Sequence, residues 1–355
     1  MSSLAPVPMN LQPLTDTPLV SVVVANYNYA RYIGEAIESL QSQTYANFEA
    51  IICDDGSSDD SCSVVERYAA ADPRIRLIRK SNGGQASALN AALAESHGEL
   101  VCILDADDTF DPVKIQVVVT TFLNNAQSGI VCHDLILIDG EGRQTGVSRS
   151  AQEGFLGPEI PTLRLGLPMP QASGLSFRRE VLNEVFPLPE SSLRSGADWA
   201  IAYAAAYITN TSRVSKTLAR YRLHGANLSG ATSAANELSE NSIAKILSGM
   251  TRVLAFTDEF VRSRFNIPVI ASRVRNVLEH RLMLAFLQKN SEQAASAAAD
   301  LRAAFQRVRR DYPASRYLFW QTLSRMPPSL AKTCLQVAFG AFRLRRSLLG
   351  ARVPL

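Results

Sequence analysis

Between Leu19 and about Ile138 the chain switches repeatedly between two kinds of hydrophobic pattern. Short apolar runs rich in β-branched residues (Leu19 to Ala25, Ile51 to Cys53, Ile75 to Ile78, Leu100 to Leu104, Ile130 to Ile138) predict strands buried on both faces. Between them, apolar residues recur at helical spacing: Ile33, Ala36, Ile37 and Leu40, then Val64, Val65 and Tyr68, then Ala86 to Glu95. Asp59 or Asp60 supplies an N-cap for the second helix, and Gly98 predicts a left-handed cap after the third. Strand and helix in alternation predict an α/β domain with a doubly wound, mainly parallel sheet and right-handed crossovers.

The pattern then changes. Gly154 to Gln171, rich in Pro and Gly, reads as a long loop. Arg179 to Val185 and Asp198 to Tyr207 follow as short helices, and Thr217 to Leu223 as a strand. Beyond about Thr232 the composition shifts to Ala, Ser, Leu and Arg with helical periodicity, which predicts an appended helical region. The first 18 residues carry four prolines without a basic start or an apolar core, so a flexible lead-in is expected and a signal peptide is not. The expected organisation is a lead-in over 1–17, a catalytic domain over 18–232 and a helical region over 233–355.

Composition alters this picture in two places. Cys53, Cys102 and Cys132 fall in apolar strand-like runs of a chain with five cysteines, as buried reduced thiols of a cytosolic protein do. The net charge of +3 conceals a tail, residues 301–355, with eleven Lys and Arg against the single acid Asp311. Such a tail suits an anionic membrane surface, an acidic partner or the acidic remainder of the chain. No stretch approaches the ~20 apolar residues of a spanning helix, and no nucleic-acid partner is expected.

Two of the strand-like runs end in carboxylates. Phe48 to Cys53 leads into Asp54-Asp55-Gly56-Ser57, and Leu100 to Leu104 leads into Asp105-Ala106-Asp107-Asp108. Gathered acids repel one another, so a fold that collects them needs a cation or a hydrogen-bonding ligand. The carboxyl ends of parallel strands are where α/β proteins bind ligands. The two clusters together predict a metal-dependent nucleotide site. Asp105, Asp107 and Asp108 offer the oxygen ligands that Mg2+ or Mn2+ takes beside phosphate and water, and such an ion neutralises a diphosphate leaving group. Capping of the next helix is the competing use. Tyr27, just past the first strand, would stand beside Asp55. A ring that stacks and an acid that accepts an imide N–H suit a nucleobase, although loop packing and a plain turn use the same residues. Gly83 and Gly84 allow a phosphate or sugar to approach a helix N-terminus, as they allow any tight turn. Asp198 opens a helix, where a general base and an N-cap call for the same residue type. His224, one of four histidines, follows a strand, where both a ligand and a hydrogen-bonded structural histidine fit.

Taken in order, a set of stretches resembles the family-two glycosyltransferases of GT-A fold: Val20 to Val23 with Tyr27-Asn28, Leu40 to Tyr45, Asp54 to Asp59, Asn82-Gly83-Gly84, Asp105 to Asp108, Ala197-Asp198-Trp199, and Tyr221-Arg222 with His224-Gly225 and Asn227. The likeness covers roughly residues 18 to 232. It implies a GT-A nucleotide-diphospho-sugar transferase fold with the helical region appended. It implies inverting transfer of a sugar from a nucleotide diphosphate donor, first of all a UDP-sugar, to a hydroxyl of a saccharide or lipid-linked acceptor, with Mn2+ or Mg2+ as cofactor. On that likeness Tyr27 and Asp55 contact the base, Ala25 lines its pocket, and Asp54 and Gly84 belong to the same nucleotide site. Asp105 faces the ribose or sugar, Asp107 with Asp108 holds the ion, Asp198 is the catalytic base, and His224 reaches the diphosphate or metal. Many relatives have Glu where this chain has Ala197, which loosens any inference about the acceptor. Gln171 to Arg179 is expected on the acceptor side. Bacterial surface polysaccharide or glycoconjugate synthesis is the family-level expectation, in the cytoplasm or peripherally at the inner face of the cell membrane.

Two other readings fit parts of the chain. Asp105-Ala106-Asp107-Asp108-Thr109 matches the Asp-x-Asp-x-Thr element of haloacid-dehalogenase-type phosphatases, whose first Asp is a nucleophile. That element opens its own domain, whereas three strand–helix units precede it here. A nucleotide-sugar-binding module without catalysis is the other, and the full set of acidic positions argues for chemistry instead.

Overall fold

In the computed structural model, the described residues are 8–148, 154–156, 171–224, 239–266, 275–307 and 319–338 without 321, 324 and 328. The chain forms two compact units that divide between Leu223 and His224. The expected boundary near residue 232 lies outside the described residues.

The first unit is a mixed, mainly parallel sheet covered by helices. Its described strands are β1 (Val20–Asn26), β2 (Phe48–Asp54), β3 (Ile75–Arg79), β4 (Leu100–Asp105), β5 (Thr109–Phe110), β6 (Ser128–Ile138), β7 (Gln144–Ser148), β8 (Gly154–Leu156), β9 (Leu175–Arg178) and β10 (Asn210–Arg222). They lie in the order β3-β2-β1-β4-β9-β6-β10-β5, with β7 on β6 and β8 on β10. β3, β2, β1 and β4 are parallel, as are β6 and β10, while β9 enters antiparallel between β4 and β6. The apolar runs of β1 and β4 are buried on both faces, which is why they do not alternate with polar residues.

The helices of this unit are α1 (Ile33–Gln41), α2 (Ser61–Ala71), α3 (Gln85–Ala94), α4 (Lys114–Asn124), α5 (Arg179–Val185) and α6 (Ala197–Ile208). α1, α2 and α4 bury Ile33, Leu40, Val65, Ile115 and Phe122 with Val22, Val24, Leu104 and Val131 in one core. α3, α5 and α6 touch the sheet without joining that core, so they cover its other face.

Three expectations change, and one open choice is decided. The strand expected from Thr217 begins at Asn210, because buried polar residues (Thr211, Ser212, Arg213) hide its first half from a hydrophobic pattern. Gly98 is not left-handed: a Cβ there would lie 2.5 Å from the amide nitrogen of Ser21, so close strand packing demands the glycine. The second helix takes its cap bond from Asp59, whose Oδ1 accepts from the Ser61 amide at 3.0 Å, and not from Asp60. From residue 8 the lead-in is tied down. The Met9 amide donates to the Ile208 carbonyl, Leu11 is buried, and the Gln12 amide donates to Glu180.

The second unit contains α7 (Glu240–Phe265), α8 (Arg275–Leu287) and α9 (Ser291–Arg307), in line with the helical pattern. Ser239 caps α7 by accepting from the Ser242 amide, and Asn266 ends it in the left-handed region. Leu278, Leu282, Phe286, Ala298, Leu301 and Trp320 belong to a core of this unit's own. Among the described residues, no helix is long and apolar enough to cross a membrane.

Phe122 is fully buried beneath the sheet. Phe122→Ala should cost about 3–5 kcal/mol through lost contacts and a residual cavity. Urea unfolding should show this as a lower midpoint with an unchanged slope.

Candidate active site

β4 ends at Asp105, and the chain turns back at once, with the Asp108 amide donating to the Asp105 carbonyl at 3.0 Å. The turn brings one carboxylate oxygen from each of Asp105, Asp107 and Asp108 within 4.8 Å of the others. Burial pushes the Asp105 and Asp108 carboxyls well above the usual range. The charges of Asp198 and Asp107 add to the effect at Asp105, and those of Asp107 and Asp105 add to it at Asp108. The cluster therefore resists carrying its full negative charge, and three hard oxygen donors fit Mg2+ or Mn2+.

Asp108 is already braced. Its Oδ2 accepts from the Ser173 hydroxyl at 2.6 Å, and its Oδ1 from the Arg222 amide at 2.8 Å. The Arg222 guanidinium in turn donates to the Asp107 carbonyl (2.8 Å) and to Glu35 on α1 (2.6 Å), with the Tyr32 ring 4.7 Å away. The end of β10 thus pins the acidic turn at Asp108 and at the Asp107 carbonyl.

Register assembles the other half of the rim. Ala25 pairs with Cys53 on one side and Asp105 on the other, so it stands between the two acidic segments. Tyr27 follows with 42% of its surface exposed. Asp55 is buried and accepts from Lys80 Nζ (2.9 Å) and the Gly83 amide (2.9 Å) on Oδ1, and from the Gly84 amide (2.6 Å) on Oδ2. A carboxylate has about four acceptor positions, so one remains, on Oδ2.

Asp54 and Gly84 are both held by hydrogen bonds within the protein. Asp54 Oδ1 accepts from Asn26 and from the Ser57 hydroxyl, and Oδ2 from the Ser57 amide. Burial works to raise its pKa, but the bonds from Ser57 and Asn26 hold it below the usual range. Asp54 shapes the turn. At the start of α3, the amides that would approach a phosphate are already bonded: Gly83 and Gly84 to Asp55, Gln85 and Ala86 to the Arg194 and Leu193 carbonyls. Gly84 has φ +91°, and a Cβ there would lie 2.7 Å from Arg194 Cα, so its conformation and the passing segment require glycine.

Asp198 is the second residue of α6, which the chain enters through Gly196 in the left-handed region. Burial pushes its pKa up to about 6, against hydrogen bonds from the Trp199 amide, the Gln85 side chain and the Ala172 amide that lower it. It also raises Asp105 through its charge, so the two lie within electrostatic reach. A carboxylate poised near neutrality suits a general base. Gln85 Oε1 also accepts from the Ala197 amide at 3.0 Å, which locks the start of α3 to the start of α6. A connected path, Asp55 to Gly84 and Gln85, then Asp198, then Asp105, gathers acids from three distant segments at one edge.

Sequence reasoning missed Gln85, Ser173, Lys80 and Glu35. Each acts across a turn or across the fold and carries no spacing signal of its own. Of the expected acceptor segment, only its first part stands at this edge. β9 runs antiparallel, so Arg178 pairs with Leu100 at the far end of β4, and the Arg179 guanidinium bonds to Ser96 there. His224 belongs to the second unit, and its expected role stays with its sequence position.

Residues 21–186 match the family model for glycosyl transferase family 2. An uncharacterized glycosyltransferase of Nostoc sp. is 37% identical over 260 residues, covering 72% of this chain and 79% of that protein. The chondroitin synthase of Pasteurella multocida (strain Pm70) is 38% identical over 108 residues, 30% of this chain and only 11% of the synthase. In fold, the chain is similar to the mannosyltransferase PcManGT of Pyrobaculum calidifontis in complex with GDP-Man and Mn2+. The TM-score is 0.50 at 20% identity, over 96% of this chain and 91% of that one.

The raised pKa of Asp198 predicts a pH-dependent gain from removing its charge. The ordinary value is 3.8 and the folded value about 6, so ionisation disfavours the fold above pH 6 and is neutral to it below 3.8. In metal-free protein, Asp198→Asn should gain on the order of 2–3 kcal/mol relative to wild type between pH 4 and pH 8. Urea unfolding at pH 4, 6 and 8 measures this, and a difference that does not vary with pH would contradict it.

Proposed function

The chain belongs to glycosyl transferase family 2, and on that premise we propose that it transfers a sugar from a UDP donor to a hydroxyl of a saccharide or lipid-linked acceptor, with inversion and with a divalent cation. The observation that carries this reading is the gathering of Asp105, Asp107 and Asp108 in one turn, with the buried Asp198 within electrostatic reach of Asp105.

Asp107, with Asp105 beside it, would hold Mn2+ or Mg2+, while Asp108 keeps the turn in shape. When bound, the ion supplies charge neutralisation for the departing diphosphate. Asp198 accepts the proton of the acceptor hydroxyl as that oxygen attacks the anomeric carbon from the side opposite the diphosphate. Tyr27 stacks on the base and Ala25 lines the pocket. Asp54 and Gly84 shape the nucleotide site from behind. His224 keeps the role its sequence position suggests, a late contact to the diphosphate or ion.

The single open acceptor position on Asp55 favours uracil. Uracil presents one imide N–H, whereas guanine presents N1–H and N2–H together and asks for two. Membership of this family sets aside the phosphatase and the non-catalytic binder. Polysaccharide or glycoconjugate synthesis at a bacterial surface is the setting we infer, supported by the synthase among the relatives. We place the enzyme in the cytoplasm, with the basic tail of residues 301–355 meeting an anionic membrane.

Thermal melts with nucleotide sugars test the donor side, since a ligand of the native state raises its melting temperature. A rise with UDP and Mn2+, absent with GDP and lost in Asp107→Ala, is expected. Asp198→Asn should keep that rise yet lower turnover at least ~100-fold. Near-normal turnover would remove Asp198 from its role.

A further inference from the structure

β10 carries a buried cation, two of whose donors lack a hydrogen-bond partner. Arg213 is 4% exposed, and its Nε and Nη1 are buried without a hydrogen-bond partner. No ion pair reaches it among the described residues. A guanidinium stays charged at any working pH, and burying a charge is unfavourable unless it is bonded. Its neighbour in register is Cys132. Burial pushes that thiol up to about 11, so it is neutral and offers no counter-charge.

The placement of Arg213 gives the orphaned donors a context. Val131 packs into the core beneath α1, α2 and α4, so alternation turns Cys132 and Arg213 to the opposite face. Leu104 packs into the same core, and alternation therefore turns Asp105 to the face that Arg213 shares. β9 and β6 lie between β4 and β10, which sets Arg213 three strands from Asp105, roughly 14 Å across the sheet.

We propose that Arg213 is an anion-binding residue of the acceptor site, taking a carboxylate or phosphate group that the acceptor carries at a distance from the attacked hydroxyl. The planar fork of N–H donors matches either group bidentately. At this separation the anion belongs to a remote part of the acceptor, whose binding positions the reacting end. The word acceptor rests on the glycosyltransferase reading, whereas the anion site stands on the buried guanidinium alone.

The test uses the full chain, with inorganic phosphate and acetate as probes at constant ionic strength set by chloride. Wild type should melt higher with one or both probes, and the larger rise identifies a phosphate or a carboxylate as the preferred group. Arg213→Met, close in length and uncharged, should lose that rise and melt no lower than wild type without a probe. Asp107→Ala should keep the rise while losing the rise with UDP and Mn2+. No probe effect in wild type, an equal effect in Arg213→Met, or a lower melting temperature of Arg213→Met without a probe would overturn the proposal. Loss of the UDP effect in wild type would instead defeat the donor reading and leave Arg213 untouched.

Discussion

Repulsion among carboxylates is the constraint that organises the catalytic edge. Three acids in one short turn are costly to ionise when buried, and the fold holds that turn firmly in place. It gives them a brace. Ser173 and the Arg222 amide hold Asp108, and the Arg222 guanidinium is turned to the Asp107 carbonyl and to Glu35. The backbone of the acidic turn is thereby fixed. A turn held rigidly, with three carboxylate oxygens within 4.8 Å of one another, is pre-organised to take a cation.

The same logic runs to Asp198, the proposed base, through two small elements. The turn at Ala172–Gly174 bonds the acidic turn through Ser173 and bonds Asp198 through the Ala172 amide. The start of α3 bonds Asp55 through Gly84 and Asp198 through Gln85. A shift of either element would move the base relative to the cation site. The antiparallel entry of β9 delivers the first of them to the carboxyl end of β4. That inserted strand, a break in an otherwise parallel half-sheet, is what brings the brace to the site.

How much of this could be seen in the residues alone depends on the range of each interaction. Strands β1 to β4 and their helices follow from local hydrophobic period, and the acids at the ends of β2 and β4 are contiguous enough to announce themselves. Asp198 was found because likeness to a family supplied the long-range link. Gln85 and Ser173 were not, because their partners lie tens of residues away and a glutamine or serine beside glycines reads as an ordinary turn. Gly83, Gly84 and Gly98 were read as conformational devices, yet Gly98 answers to strand packing and Gly84 also to the Arg194 segment. The first half of β10 escaped for a third reason: its buried residues are polar, and a hydrophobic pattern is blind to polar burial.

That polar burial links β10 to the acidic turn. One face of one sheet holds the carboxylate of Asp105 and the buried guanidinium of Arg213. They do not neutralise each other, since three strand spacings separate them and attraction falls with distance. A chain selected for stability alone would pair these charges or replace them with apolar residues, and buried ion pairs exchanged for well-packed apolar groups are often no less stable. Keeping them apart costs stability that ligands at the two proposed sites would return. The two requirements stay distinct: a cation would answer the acidic turn, and an acceptor carrying an anion would answer Arg213. Selectivity for the ligand and marginal stability without it are therefore the same property of this sheet.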